Sequence, residues 1–254
     1  MRARKQRVVL NGQHSSWSDV LAGVPQGSIL GPLLFLIYIN DLSDGLKCNP
    51  KLFADDTSLF STVHNINEAT TDLNNDLIKI TKWAFQWKMS FNPDISKQAH
   101  EVIFSRKRSI TPHPSLTFNN IPVAQTSSQK HLGMHLDKKL NFEEHLRKVE
   151  SKVNKTIAII RKLQNVLPRS ALLTIYKSFV RPHLDYGDII YDKAFNESFH
   201  AKLESLQYSA ALAITGAIRG TSTEKIYEEL GLEPLKLRRR YRKKCVLFKV
   251  FENE

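Results

Sequence analysis

Cysteine is nearly missing: Cys48 and Cys245 are the only two in 254 residues. Two thiols cannot build a disulfide framework or a four-thiolate zinc site, and their scarcity suits a reducing compartment. Long apolar runs are missing too. The longest, Leu33–Ile39, stops at Asn40 and Asp41, far short of the roughly 20 residues a membrane helix requires. Arg2, Arg4, Lys5 and Arg7 follow Met1 with no apolar leader core behind them, so neither export nor a membrane anchor is expected and the reading is intracellular. Internal repeats and low-complexity tracts are absent. Acid is short relative to base, with 25 Asp and Glu against 37 Lys and Arg, a net charge of +12 and a pI near 9.7. Such a surface attracts polyanions, nucleic acid first.

What is present is the make-up of a folded chain, 41% hydrophobic and 24% charged, long enough for one large domain or two modest ones. Val8–Leu10, Asn11-Gly12 and Ser15–Val20 read as strand, type I′ turn and strand. Gly31-Pro32 opens a helix carrying Leu33, Leu34, Leu36, Ile37 and Tyr38, apolar nearly all round, so burial is expected; its end is placed near Gly45. Lys51–Phe53 and Thr57–Thr62 form a second hairpin with Ala54, Asp55 and Asp56 at its tip. Leu73, Leu77, Ile80, Ala84 and Trp87 step by three and four through a long amphipathic helix, 66–89. Strands are predicted again at Glu101–Ser105, Ser115–Phe118 and Lys130–Leu136.

Beyond residue 138 the period is almost wholly helical. Leu146, Val149, Val153, Ile157 and Ile160 make an apolar stripe, and Lys148, Lys152, Lys155 and Lys162 a cationic one. The latter is a candidate nucleic-acid contact or a solvated helix face. Pro168, Pro182 and Pro234 punctuate the later helices. Arg238–Lys244 packs six cations into seven residues, a solubilising or localising run, or a nucleic-acid contact. The element order is α+β.

Asp55 and Asp56 carry the strongest chemical signal. Adjacent acids at an apolar hairpin tip repel one another unless a cation offsets them, and Mg²⁺ takes one or two carboxylates plus water and substrate phosphate. Their context is specific. Gly23-Val24-Pro25-Gln26-Gly27-Ser28-Ile29-Leu30-Gly31-Pro32 and the apolar helix precede Phe53-Ala54-Asp55-Asp56. In that order and spacing the two segments resemble motifs B and C of the reverse transcriptase family, more closely the polymerases of non-LTR (LINE-like) retrotransposons. Lys88–Lys97 resembles motif D, and His131-Leu132-Gly133-Met134-His135-Leu136-Asp137 the primer-gripping hairpin, motif E. Arg181-Pro182-His183-Leu184-Asp185-Tyr186-Gly187 resembles the family's continuation beyond the thumb and is given no catalytic role.

The resemblance implies a partial reverse-transcriptase palm over residues 1–137 and a helical thumb-like region over 138–254. It implies RNA-directed DNA synthesis with an RNA template, a DNA primer, deoxynucleoside triphosphates and Mg²⁺, Mn²⁺ being the alternative ion. Asp55 and Asp56 are the catalytic, metal-holding pair. Gln26, Gly27 and Lys97 fall on the template-base and nucleotide side. His131 and His135 are read onto one strand face and, lacking further ligands, not as a zinc site. The family also places fingers and a motif A aspartate before motif B. Asp19, the only acid before motif B, stands too close to the Pro-Gln-Gly loop to be that residue, and Asp41 and Asp44 suit the end of the motif B helix. The chain is therefore expected to hold two of three metal carboxylates, truncated before motif A and inactive alone. The alternative is a non-catalytic nucleic-acid-binding remnant.

Overall fold

The computed structural model describes residues 4–20, 23–24, 27–92, 99–107, 112–192 and 197–252. It is a mixed helix-and-strand fold in which, among the described residues, the strands pair two by two. Packing groups the chain into residues 1–99 with 111–123, and residues 100–110 with 124–254. This division differs from one drawn by motif order, because the strands between 124 and 137 group with the helices that follow them.

In the first unit, β1 (Arg4–Gln6) pairs antiparallel with β4 (Ser18–Val20), and β2 (Val9–Leu10) with β3 (Gln13–His14). Asn11 at φ 49° and Gly12 at φ 78° make the predicted turn. Helix α1 (Leu30–Ile39) follows, shorter than the reading to Gly45, with the Ser28 hydroxyl accepting the Gly31 amide at 3.1 Å.

The expected burial of α1 is overturned. Gly31 and Ile39 are buried, yet Leu33, Leu36 and Ile37 are 54, 56 and 65% exposed. Tyr38 packs edge-on against Trp83 and Trp87. An all-round apolar sequence requires a cover on every side, and among the described residues this side alone has one.

The hairpin β5 (Asn49–Phe53) and β6 (Asp56–Phe60) comes next, then α2 (Ile66–Gln86), capped by Asn65 accepting from the Asn67 amide. The predicted face of α2 is the inward one: Ile80 and Ala84 are buried, and Leu77 joins the cluster around Leu42, Ile80 and Phe118. Leu52 and Leu59 of the hairpin pack there too. The short pair β8 (Thr117–Phe118) and β9 (Ile121–Pro122) closes this unit, with β7 (His100–Glu101) belonging to the other.

In the second unit β7 pairs parallel with β10 (Ala124–Gln125), and β11 (Ser128–His131) pairs antiparallel with β12 (Met134–Asp137). The expected single strand 130–136 is thus two, split at Leu132 (φ 45°) and Gly133 (φ 85°). His135 stands opposite Lys130 and His131 opposite Met134. Neighbouring pairs alternate sides, so His131 and His135 lie on opposite faces, correcting the shared-face reading.

Helix α3 (Glu143–Leu163) buries Val149, Val153, Ile157 and Ile160, as its period predicts. Its core is shared with α4 (Arg169–Ile175), a π turn (Tyr176–Val180), α5 (Arg181–Asp185), α6 (Asp188–Tyr191), α7 (Glu197–Thr215), α8 (Thr223–Leu230) and α9 (Leu235–Glu252). The prolines stand at or beside helix starts: Pro168 precedes α4, Pro182 lies in the first turn of α5, and Pro234 precedes α9.

Candidate active site and nucleic-acid surface

The ladder from Asn49↔Phe60 to Phe53↔Asp56 carries the acidic pair at its end. Alternation points Leu52 and Leu59 to the core and leaves Phe53 64% exposed. Ala54, at φ 51°, and Asp55 form the two-residue turn. Asp56 is not at the tip as expected but opens β6 opposite Phe53, because a two-residue connection suffices to reverse the strand. Both carboxylates face solvent. Two adjacent, hydrated hard-oxygen donors fit Mg²⁺ in chemistry and number. Among the described residues no group of three or more His, Cys, Asp or Glu side chains converges.

The hairpin is moored by a residue not singled out from the sequence. Asp76 of α2 is fully buried, and its Oδ2 accepts the amides of Lys47 at 2.9 Å and Cys48 at 2.8 Å, just before β5 begins. The Lys79 ammonium donates to Oδ1 at 3.3 Å. Burial pushes the Asp76 carboxyl up, but the two amides and Lys79 outweigh it and hold the group below the ordinary carboxylate range. Burial first, and then Asp76, pushes the Cys48 thiol up to about 11, leaving it a protonated donor. A signal was available, since position 76 falls inside the 73–77–80–84 stripe where an acid is out of place. Asp41, read as a capping acid, accepts the Trp83 indole N–H at 2.8 Å and ties the end of α1 to α2.

Gly27 is exposed at φ +78°, a conformation that glycine adopts without strain, and nothing stands within 4 Å of where a Cβ would be. A backbone or base could approach it closely. Gln26 and Lys97 lie outside the described residues.

The four lysines belong to the other unit. Lys148, Lys152, Lys155 and Lys162 are all exposed on α3, within about 80° of one another around its axis and opposite the buried stripe. None of the four is in an ion pair among the described residues. Ile159, 53% exposed, interrupts the row. Lys152 also disfavours protonation of two neighbouring histidines, His145 and His183, whose pKa values burial, the larger cause in each, already lowers.

Most of the Arg238–Lys244 run is engaged within the protein. Asp185 accepts from Arg238 at 2.7 Å and Arg242 at 2.9 Å, and Asp192 from Arg239 at 3.1 Å. Asp188 pairs with Arg242, and Asp192 also pairs with Lys243. Four of the six cations thus fasten α9 to α5, α6 and the residue that follows α6. Burial raises the Asp188 pKa, with Arg242 opposing it. The residues that neutralise this run are some fifty positions away, which no local pattern encodes.

Comparison with known proteins gives a consistent picture. The sequence profile of the reverse transcriptase (RNA-dependent DNA polymerase) family matches residues 3–136. The probable RNA-directed DNA polymerase from transposon X-element of Drosophila melanogaster is 29% identical over 236 residues, 89% of this chain and 25% of that protein. The RNA-directed DNA polymerase from mobile element jockey is 28% identical in Drosophila melanogaster, over 91% of this chain and 26% of its own length. Its Drosophila funebris counterpart is 31% identical, over 84% and 24%. The chain spans about a quarter of the length of the curated relatives it matches. No solved structure matches it significantly.

Proposed function

The chain belongs to the reverse transcriptase (RNA-dependent DNA polymerase) family, and on that premise we propose that it takes part in adding deoxynucleotides to a primer 3′-hydroxyl on an RNA template, as part of a non-LTR retrotransposon polymerase. The observation that carries this reading is the exposed Asp55-Asp56 pair at the end of a core-anchored hairpin, inside the stretch that matches the family.

In this proposal residues 1–137 contribute palm motifs and residues 138–254 a thumb-like region. Asp55 and Asp56 hold Mg²⁺, or Mn²⁺, through carboxylate oxygens. A metal ion so held lowers the pKa of the attacking hydroxyl and neutralises charge on the triphosphate. Gly27 lets the template base and nucleotide approach the backbone, with Gln26 and Lys97 on the same substrate side. Lys148, Lys152, Lys155 and Lys162 track the phosphates of the duplex, each neutralised phosphate adding affinity that salt removes. With two acids in the pair and no third beside it among the described residues, metal binding by these 254 residues is weak and primer extension by them alone is slow.

Calorimetric titration of Mg²⁺ and Mn²⁺ into the protein and into Asp55→Asn/Asp56→Asn tests the pair. Heat of binding in the parent only supports it; equal binding by both removes it. Primer extension on an RNA template, run beside hybrid-binding measurements, separates the readings. Binding without Asp55-dependent extension favours the non-catalytic nucleic-acid-binding alternative.

A further inference from the structure

The segment Arg181–Gly187 has no part in the chemistry proposed above, yet two of its residues close on the 128–137 hairpin. The Tyr186 hydroxyl donates to the Leu132 carbonyl at the hairpin turn. The Tyr186 ring lies against Gly133, where an added Cβ would stand 3.3 Å from the ring carbon Cε1. Next to it Gly187, at φ +70°, makes room for Met134, whose thioether a Cβ there would overlap.

The turn needs such support. Leu132 sits at φ 45°, a left-handed conformation that an L side chain adopts at a cost, and its side chain is 37% exposed. The four-pair ladder and buried Met134 fix the strands from below. Tyr186 holds the turn from outside the ladder. Its own position is secured by the preceding residue, since Asp185 accepts from Arg238 and Arg242 of α9.

We infer that Tyr186, seated by Gly187, is a positioning residue that holds the Leu132–Gly133 turn in the geometry with which this hairpin meets a primer 3′ end. The inference rests on the reverse-transcriptase reading and adds to it the residues that aim the hairpin. Removing the hydroxyl frees the turn without touching the ladder or the helical core, so a loss confined to the turn is its signature.

The test uses a DNA primer with a photoreactive 3′-terminal base on an RNA template, bound to the full 254-residue chain. Crosslinked peptides are mapped by mass spectrometry, hybrid affinity is read by fluorescence anisotropy, and amide exchange is followed at residues 131–135. The parent protein should crosslink within 128–137. Tyr186→Phe should lower that yield about two- to tenfold, the range one lost hydrogen bond produces, and speed exchange at the turn, with Kd for the hybrid unchanged and Tm lowered by no more than the few degrees one hydrogen bond is worth. Gly187→Ala should lower the yield too, but with a fall in Tm, because its Cβ displaces buried Met134. Equal crosslinking by parent and Tyr186→Phe overturns the inference and leaves the reverse-transcriptase reading standing. So does a uniform fall of Tm and binding, which makes the role purely structural, or a parent crosslink elsewhere in the chain. If the parent binds no hybrid, that reading fails for this chain, and the inference falls with it.

Discussion

Replacing Asp76 with alanine should unmoor the acidic hairpin, and its cost can be worked from the hydrogen bonds it makes. The carboxylate is fully buried and satisfies two backbone amides. The Cys48 amide is buried and cannot rehydrate, so leaving it without an acceptor costs about 1–3 kcal/mol. The Lys47 amide, only partly buried, recovers water and costs about 1 kcal/mol. Lys79 is half-exposed, so its ion pair adds little. The sum is about 2–4 kcal/mol, which lowers a urea midpoint by about 1 M or more at the slope of a unit this size. Trp17, Trp83 and Trp87 are the only tryptophans and all belong to the first unit, so tryptophan fluorescence reports its unfolding alone. The effect has a pH signature. Because the folded pKa lies below the ordinary value of 3.8, the stabilisation is complete above that value and is lost as pH falls through the folded one. Asp76→Asn, which keeps one acceptor oxygen, should lose less. A loss under about 0.5 kcal/mol for Asp76→Ala would refute the reasoning, because the two amides would then have other partners.

Three further outcomes follow from the second unit. Changing Lys148, Lys152 and Lys155 to Glu should reduce the salt slope of hybrid binding by roughly 0.9 for each phosphate no longer neutralised; an unchanged slope makes the row a solvated face. His145 is buried with neither ring nitrogen partnered among the described residues, and burial first, then His135 and Lys152, lowers its pKa. The unfolded chain therefore takes up the proton first, and stability should fall as pH drops below about 6.5, the unfolded value, as read by urea unfolding at pH 7.5 and 5.5. His145→Leu should lose less over that interval, the remainder including His183, whose pKa burial and Lys152 also lower. Asp188→Ala leaves Arg242 short of one partner beside a buried site and should cost about 3 kcal/mol in thermal melts, part of it recovered when Arg242→Met is added.

Much of the molecule is legible in its sequence because the signal is local. Asn11-Gly12 specifies its turn through the φ those residues tolerate, and the 146–160 stripe specifies which side of α3 is buried through a period of 3.6. The family is legible too, in short motifs whose order survives without any knowledge of packing. Local pattern fails where the answer depends on what stands opposite. The apolar sequence of α1 says that every side can be covered, and the structure leaves one side open. The Leu132-Gly133 turn converts one apparent strand into two and puts His131 and His135 on opposite faces. Four of the six cations of Arg238–Lys244 look free in sequence and are tied to Asp185, Asp188 and Asp192, and Asp76 looks misplaced until the amides of Lys47 and Cys48 are brought to it. Periodicity and motif spacing are properties of neighbouring residues and so are determined by the sequence alone. Burial, ion pairing and the support of a turn depend on residues tens of positions apart, and only the tertiary structure decides them.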